Sequence, residues 1–304
     1  MLQASTRKPL TRHQGDMLFS GALVAPTILV TAIFILIPVI DSVIKSFLDY
    51  KVKNIISGKP GIWNNFENYI KLFQNDKLLP AIGVTFLFVA CVVFLQFFLG
   101  MALALILNSN IKASRFLRSV MMIPWVVPTV ISALIWLWIY QPQYGLLKYI
   151  VSLFGVSEFA ILNNPGTAIW AIVVAALWKQ IPLTTLLLLA GLQNVPGDML
   201  EAATVDGASA VRKFFSIVLP YMKSVVKVTL SMAIIENFKQ FPLFWTMTGG
   251  GPQNATTTLA ILSYREAFVS NNLGSGAAVT TIWMLLMMIV VFFYNKFMGV
   301  SNVD

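Results

Sequence analysis

Two short clusters carry polar side chains inside strongly apolar surroundings. Lys179 and Gln180 interrupt the apolar run 168–190, just before Pro182. Glu236, Asn237, Lys239 and Gln240 lie in the second half of the run 225–245. Amides and ionised groups are costly in an apolar medium and are kept there for a use. Such groups bond the hydroxyls of a polar solute or line an aqueous path. At about 100° per residue, Glu236, Asn237, Lys239 and Gln240 fall within an arc of about 160° on one helix face, with Phe238 and Phe241 toward the other side. Trp178 and Trp245 are near enough in sequence to cover an apolar face of a bound solute. The same residues also have a purely structural use. A salt bridge from Lys179 or Lys239 to Glu236 would hold two helices together, and Lys239 could snorkel outward. The chain has one His and one Cys, Cys91, so neither a nucleophile pair nor a metal cluster is expected, and no catalytic residue is assigned.

A third cluster sits in a more polar segment, residues 195–220, VPGDMLEAATVDGASAVRKFFSIVLP. Its pattern predicts two short helices. Asp198 is placed to cap the first, with Glu201 three residues on in a capping-box position. Gly207 can take the left-handed conformation that ends a helix. Ser209 can cap the second, which carries Val211, Phe214, Phe215 and Val218. Pro220 is expected to stop it and turn the chain into the next apolar run.

The elements that must position these clusters follow from composition. The chain of 304 residues is 58% hydrophobic and 11% charged, whereas soluble domains run near about 25% charged. An ordinary soluble enzyme and a disordered chain are both excluded. Six membrane spans are read, at about 17–40, 81–107, 120–140, 168–190, 225–245 and 277–297, each long enough for a helix and none alternating like a barrel strand. Pro26 and Pro38 are expected to bend the first, which lacks a cleavage site and reads as an anchor that stays. Gln96 is expected to make an interhelical hydrogen bond, and Gly100 and Gly191 to allow close packing. The expectation is an all-α integral membrane protein with six transmembrane helices, forming a single domain over residues 1–304. The net charge of +9 reads as a topology signal, not as a nucleic-acid footprint. Arg7, Lys8 and Arg12, then Lys112, Arg115 and Arg118, then Arg212, Lys213 and Lys223, then Lys296, alternate with segments holding Lys148, Arg265 and the lysines of loop 41–80. Both termini are therefore expected in the cytoplasm, in a multi-pass membrane protein.

Glu201-Ala202-Ala203, Asp206-Gly207, Ile217 and Leu219-Pro220 resemble the EAA motif of the membrane subunits of ABC importers, with all spacings kept. The stretch from Trp178 to Ile217, the stretch FPLFWTMTGGGPQNATTTLAILSYREAF and the Phe66–Tyr69 region are similar to carbohydrate importer permeases of the maltose type, specifically the first of the two permease subunits. The resemblance implies the transmembrane domain of a type I ABC importer, moving a carbohydrate by alternating access. It makes Glu201, Ala202, Ala203, Asp206, Gly207, Ile217, Leu219 and Pro220 the coupling helix gripped by an ATPase. It puts sugar contacts at Asn237 and Gln240, with others near Lys179 and Gln180. It implies an ABC ATPase dimer holding ATP and Mg, a second homologous permease, an extracellular substrate-binding (lipo)protein and surrounding lipid. The chain itself is expected to hold no cofactor, since it has no phosphate-binding loop; Gly58-Lys59-Pro60 is not one. It also lacks the large insertion of the best-known maltose permease, so contacts with a binding protein are expected from smaller loops. An ion-driven carrier or channel, and an ABC importer for glycerol phosphate, remain as alternatives.

Overall fold

The computed structural model describes residues 12–109, 112–155 and 159–299, with side chains from Phe19 onward. Arg7, Lys8 and the side chain of Arg12, expected to mark one end, lie outside the described residues. Helix α1 (Arg12–Thr31), a π turn (Ala32–Leu36) and α2 (Ile37–Lys45) run on together, giving an apolar span Phe19–Lys45 that ends later than expected. Pro26 stays within the helix, and the π turn precedes Pro38, whose ring would crowd the carbonyl four residues back. None of the apolar window of this span is buried within the chain.

The loop 41–80 is folded. β1 (Leu48–Asp49) pairs antiparallel with β2 (Ile62–Trp63) around α3 (Val52–Ile56), and α4 (Glu67–Gln74) follows. Asn68 Nδ2 donates to the carbonyls of Ser46 (2.8 Å) and Leu48 (2.9 Å), and Phe47 stacks on Trp63 at 5.5 Å. The amide of Gly274 donates to the Tyr50 carbonyl at 2.8 Å, and a Cβ on Gly274 would lie 2.2 Å from the Leu48 oxygen. A backbone atom cannot give way as a side chain can. Gly274→Ala is therefore expected to destabilise the protein by about 2 kcal/mol, read as a lower Tm of the purified transporter; an unchanged Tm would refute this packing.

α5 (Leu78–Asn108) is the second span. The third departs from the expected single helix 120–140. It is α6 (Ser114–Met121), α7 (Ile123–Val126) and α8 (Thr129–Ile139), bent by 94° at the Val127–Pro128 step. Pro128 has no N–H to continue the ladder, and Val127 before it is extended (φ −61°, ψ 130°). After α9 (Leu146–Ser152), α10 (Ala168–Gln193) is the fourth span. An elbow follows: α11 (Gly197–Val205), α12 (Ala210–Lys213), a π turn (Phe214–Val218) and α13 (Leu219–Tyr221). The 73° bend into α14 (Lys223–Phe238) falls at Met222, so Pro220 does not end the helix as expected; the π turn before it absorbs its missing bond.

The fifth span is also corrected. α14 stops at Phe238, and α15 (Pro242–Met247) restarts after a break. Pro242 cannot donate to the Phe238 carbonyl four residues earlier, so a continuous helix to residue 245 is ruled out. α16 (Leu259–Tyr264), a π turn (Arg265–Val269) and α17 (Leu273–Phe297) complete the chain.

Among the described residues four helices are long and apolar enough to cross a membrane, and six spans result if each bent pair counts as one. α10 is the central helix: 56% of its apolar window is buried, against 33% for α5 and 22% for α17. α10 packs along α5, and both expected glycines serve this core. A Cβ on Gly100 would lie 2.8 Å from Thr184 Cγ2, and one on Gly191 would lie 2.9 Å from Met222 Cε. Phe88, Val92, Ile172, Phe238 and Phe244 fill one half of the bundle, and Met101, Leu188, Leu192 and Met222 the other. Lys223 Nζ donates to the Gly299 carbonyl (2.9 Å) and Arg118 to the Leu107 carbonyl (3.3 Å), which gathers these basic segments at the elbow's end of the bundle.

Candidate functional site

Between α5, α7, α8, α10 and α14 lies a cavity of about 500 Å³. α10 presents Lys179, Gln180, Leu183, Thr184 and Leu187 to it, a set spaced along one helical face. Glu236, Lys239 and Gln240 line it at the end of α14 and the break beyond. Five of the six expected polar residues thus face one cavity. The sixth, Asn237, does not line it. It is 2% exposed and sits behind the wall.

Asn237 instead ties three helices together. Its Nδ2 donates to Gln180 Oε1 (2.9 Å), the Ala233 carbonyl (2.9 Å) and, more weakly, Gln96 Oε1 (3.4 Å). Gln180 Nε2 returns a bond to Asn237 Oδ1 at 3.0 Å, a reciprocal amide pair between α10 and α14. Gln96 Nε2 also donates to Thr184 Oγ1, which bears out its interhelical role and places it on the cavity wall.

Of the two expected salt bridges to Glu236, the one from Lys239 forms and the one from Lys179 does not. Lys239 Nζ bonds Glu236 Oε1 at 2.7 Å, three residues apart on the same segment, so the pair is locally neutral and does not tie helices. Lys179 Nζ donates to the carbonyls of Trp125 (3.2 Å) and Val127. Those carbonyls lie just before the break at Pro128, where the backbone donors of a continuous helix are missing. The lysine supplies replacement donors, which membrane depth requires of an interrupted helix. Among the described residues no carboxylate lies in ion-pair reach of Lys179.

The expected aromatic partners are replaced. Trp178 packs edge-on to Trp136 (6.0 Å) and Trp245 stacks on Phe241 (5.7 Å), and neither lines the cavity. Trp125 does, at 42% exposure. Its sequence signal is its place between Pro124 and Pro128, where an intramembrane break turns a ring inward. Thr129 and Thr229 also line the cavity, and neither carries a sequence signal of its own.

The elbow forms largely as the sequence predicts. Gly207 has φ +75°, with Gly207 N bonded to the Thr204 carbonyl (3.0 Å) and Ala208 N to the Ala203 carbonyl (2.9 Å), the double closure of a left-handed helix end. Ser209 Oγ caps α12 by accepting from Arg212 N at 3.3 Å. Lys213 Nζ reaches Thr204 Oγ1 at 2.9 Å and braces the two arms. Asp198 is not the cap: the N-cap is Pro196, with no side-chain bond, and Asp198 sits one turn-position inside. Glu201 therefore closes no capping box, and among the described residues it makes no hydrogen bond or ion pair. Ala202, Asp206 and Pro220 are exposed and Ala203, Ile217 and Leu219 half-buried, with Leu219 packed against the inner cluster of Val218 and Met222. Met199, Val205, Val211 and Phe215 stand exposed on the elbow.

Membrane-length helices around a polar cavity, with a braced helical elbow projecting at one end, define a transport subunit. The chain belongs to the family of binding-protein-dependent transport system inner membrane components, which matches residues 96–299; it is the permease of an ABC importer. The trehalose/maltose transport system permease protein MalF of Thermococcus litoralis is 37% identical over 260 residues, 86% of this chain and 86% of that protein. The sulfoquinovosyl glycerol transport system permease protein SmoG of Agrobacterium fabrum is 32% identical over 88% of this chain and 86% of its own length. The sn-glycerol-3-phosphate transport system permease protein UgpA of Yersinia pestis is 34% identical over 86% of this chain and 88% of its own length. A bacterial ABC transporter for import of the acidic polysaccharide alginate shares the fold, with a TM-score of 0.81 over 96% of this chain and 100% of the other, at 20% identity.

Proposed function

We propose that this permease passes a carbohydrate through the cavity between α10 and α14 by alternating access. The observation that carries the reading is the make-up of that cavity: amides of Gln96, Gln180 and Gln240 on its walls, with the single ring of Trp125 among them. Amides bond sugar hydroxyls, and an indole covers the C–H face of a pyranose. The relative named for trehalose and maltose supports a sugar.

The elbow faces the cytoplasm in this reading, as do both chain ends, in a bacterial cytoplasmic membrane. Glu201, Ala202, Ala203, Asp206, Gly207, Ile217, Leu219 and Pro220 form the part gripped by an ATPase dimer, a separate chain that holds ATP and Mg. A second permease completes the pathway, and an extracellular binding protein delivers the sugar. Closure of the ATPases draws the elbow with it, and Met222, where the chain bends, passes the motion to α14. α14 then shifts against α10, and the Gln180–Asn237 pair is the contact that must slide or open. Sugar hydroxyls replace the bonds it releases, so each ligand acts through its different affinity for the two arrangements.

The test is uptake of labelled maltose, trehalose and glycerol 3-phosphate by cells expressing the complete transporter. Sugar uptake that stops on ATP depletion with ion gradients clamped is the expected result. Uptake that survives ATP loss would mean an ion-driven carrier. Uptake of glycerol 3-phosphate alone would favour a second reading, for which the ammonium of Lys179 on the cavity wall speaks. Within the sugar reading, Trp125→Ala is expected to lower maltose uptake at limiting concentration by about tenfold, with Trp125→Phe recovering most of the loss. Equal uptake by Trp125→Ala and the parent would remove Trp125 from the site.

A further inference from the structure

We propose that the corner where α5 ends and α6 begins is a phosphate-binding site, filled by the headgroup of an anionic lipid. A cavity of about 400 Å³ opens there, lined by Lys112, Arg118, Ser109, Ser114, Asn108 and Gln193. Every one of these side chains can donate a hydrogen bond, and none of the lining residues is acidic. Such a wall suits an anion rich in acceptor oxygens.

Arg118 is the sharpest observation. Among the described residues, one terminal nitrogen reaches only the Leu107 carbonyl, at 3.3 Å, and its Nε is buried without an acceptor. A guanidinium keeps its protons under all ordinary conditions, so a buried N–H with no partner is a donor awaiting one. Phosphate oxygens match that planar fork. Lys112 is exposed at the rim and makes no ion pair among the described residues. α6 begins at the same corner with Ala113 as its N-cap and no side-chain cap, so among the described residues no side chain competes with the anion for the first-turn N–H groups.

The form of α6 selects a lipid as the source. Ser114, Arg115, Arg118 and Ser119 fall within an arc of about 140° of the helix, and Phe116, Leu117, Val120 and Met121 occupy the opposite side. Phe116 is 70% exposed, and Leu117 and Val120 are exposed beside it. A short helix with a basic side, a bare apolar side and a membrane span ending at its start lies in the headgroup layer. Its basic side is then at the depth of lipid phosphates, and anionic headgroups are drawn to such clusters. This inference does not depend on which solute crosses.

The test uses the full-length transporter with its partner subunits in phosphatidylcholine bilayers, with and without phosphatidylglycerol. Phosphatidylglycerol is expected to raise the Tm by about 5 °C and to stay bound in native mass spectra. Lys112→Gln should cut that rise about in half and Arg118→Gln abolish it, whereas Lys53→Gln, an exposed lysine on the far hairpin, should leave it whole. Should Arg118→Gln fail to assemble, the rim residue Lys112 decides alone. An equal rise in all variants, or none in the parent, overturns the site. Inorganic phosphate added to phosphatidylcholine bilayers is the remaining arm: the same rise from it would overturn the lipid assignment in favour of a soluble anion.

Discussion

Replacing Gly207 with proline is expected to abolish sugar uptake while the chain still inserts in the membrane. Gly207 holds φ at +75°, and a proline ring fixes φ near about −65°. Proline would also remove the N–H that bonds the Thr204 carbonyl at 3.0 Å. The two arms of the elbow would separate, and the brace from Lys213 to Thr204 would lose its geometry. The spans on either side keep their own packing, so the amount of protein in the membrane should hold. Gly207→Ala is the graded companion. Nothing lies within 4 Å of a Cβ there, so its cost is the left-handed conformation alone, about 1 kcal/mol. A partial loss of uptake is expected from it. The readouts are labelled maltose uptake, membrane protein level, and ATP hydrolysis by the assembled complex. Parental uptake by the proline variant would mean that the elbow does not transmit force.

Asn237→Leu should be the most damaging change within the bundle. It strips Gln180 of both amide bonds and Gln96 of a weaker one. Buried polar groups left unpaired cost about 1–3 kcal/mol in water-soluble proteins, but single bonds between membrane helices average about 0.6 kcal/mol. Because these hydrogen bonds break together, about 2 kcal/mol is expected, seen as a Tm lower by several degrees, along with loss of uptake. The double variant Asn237→Leu with Gln180→Leu separates cohesion from recognition. Two apolar side chains suit an apolar bundle, so stability should largely return. Uptake should not, because the amide on the cavity wall is gone. Recovery of uptake together with stability would show that this pair only holds α10 to α14.

The class of protein and the elbow are readable from the chain because each depends on local properties. Span length follows from runs of apolar residues. The left-handed turn at Gly207 and the cap at Ser209 are choices made within a few residues of backbone. Polar residues at membrane depth stand out against their neighbours whatever they bond to, which is why Lys179, Gln180, Glu236, Lys239 and Gln240 are legible as a group without their surroundings. Asp198 shows the limit even locally. An acidic residue near a helix start reads as a cap, yet Pro196 sets the start two residues earlier.

The partners of those residues are a different matter. Sequence places Lys179 opposite Glu236 across helices, but it bonds carbonyls on a segment more than fifty positions away, 54 residues to Trp125. Asn237 turns inward to Gln180, 57 residues distant, while its neighbours Glu236 and Lys239 face the cavity. Trp125 replaces Trp178 and Trp245 because the break at Pro128 redirects one ring, and packing on Trp136 and Phe241 occupies the others. Sequence alone determined that the chain crosses a membrane, carries an elbow of fixed turn chemistry and hides polar groups beside it, since polarity and backbone preference belong to each residue. Only the tertiary structure decided which groups meet, because a hydrogen bond is a matter of about 3 Å in space, and the helices that set that distance are brought together by packing between distant parts of the chain.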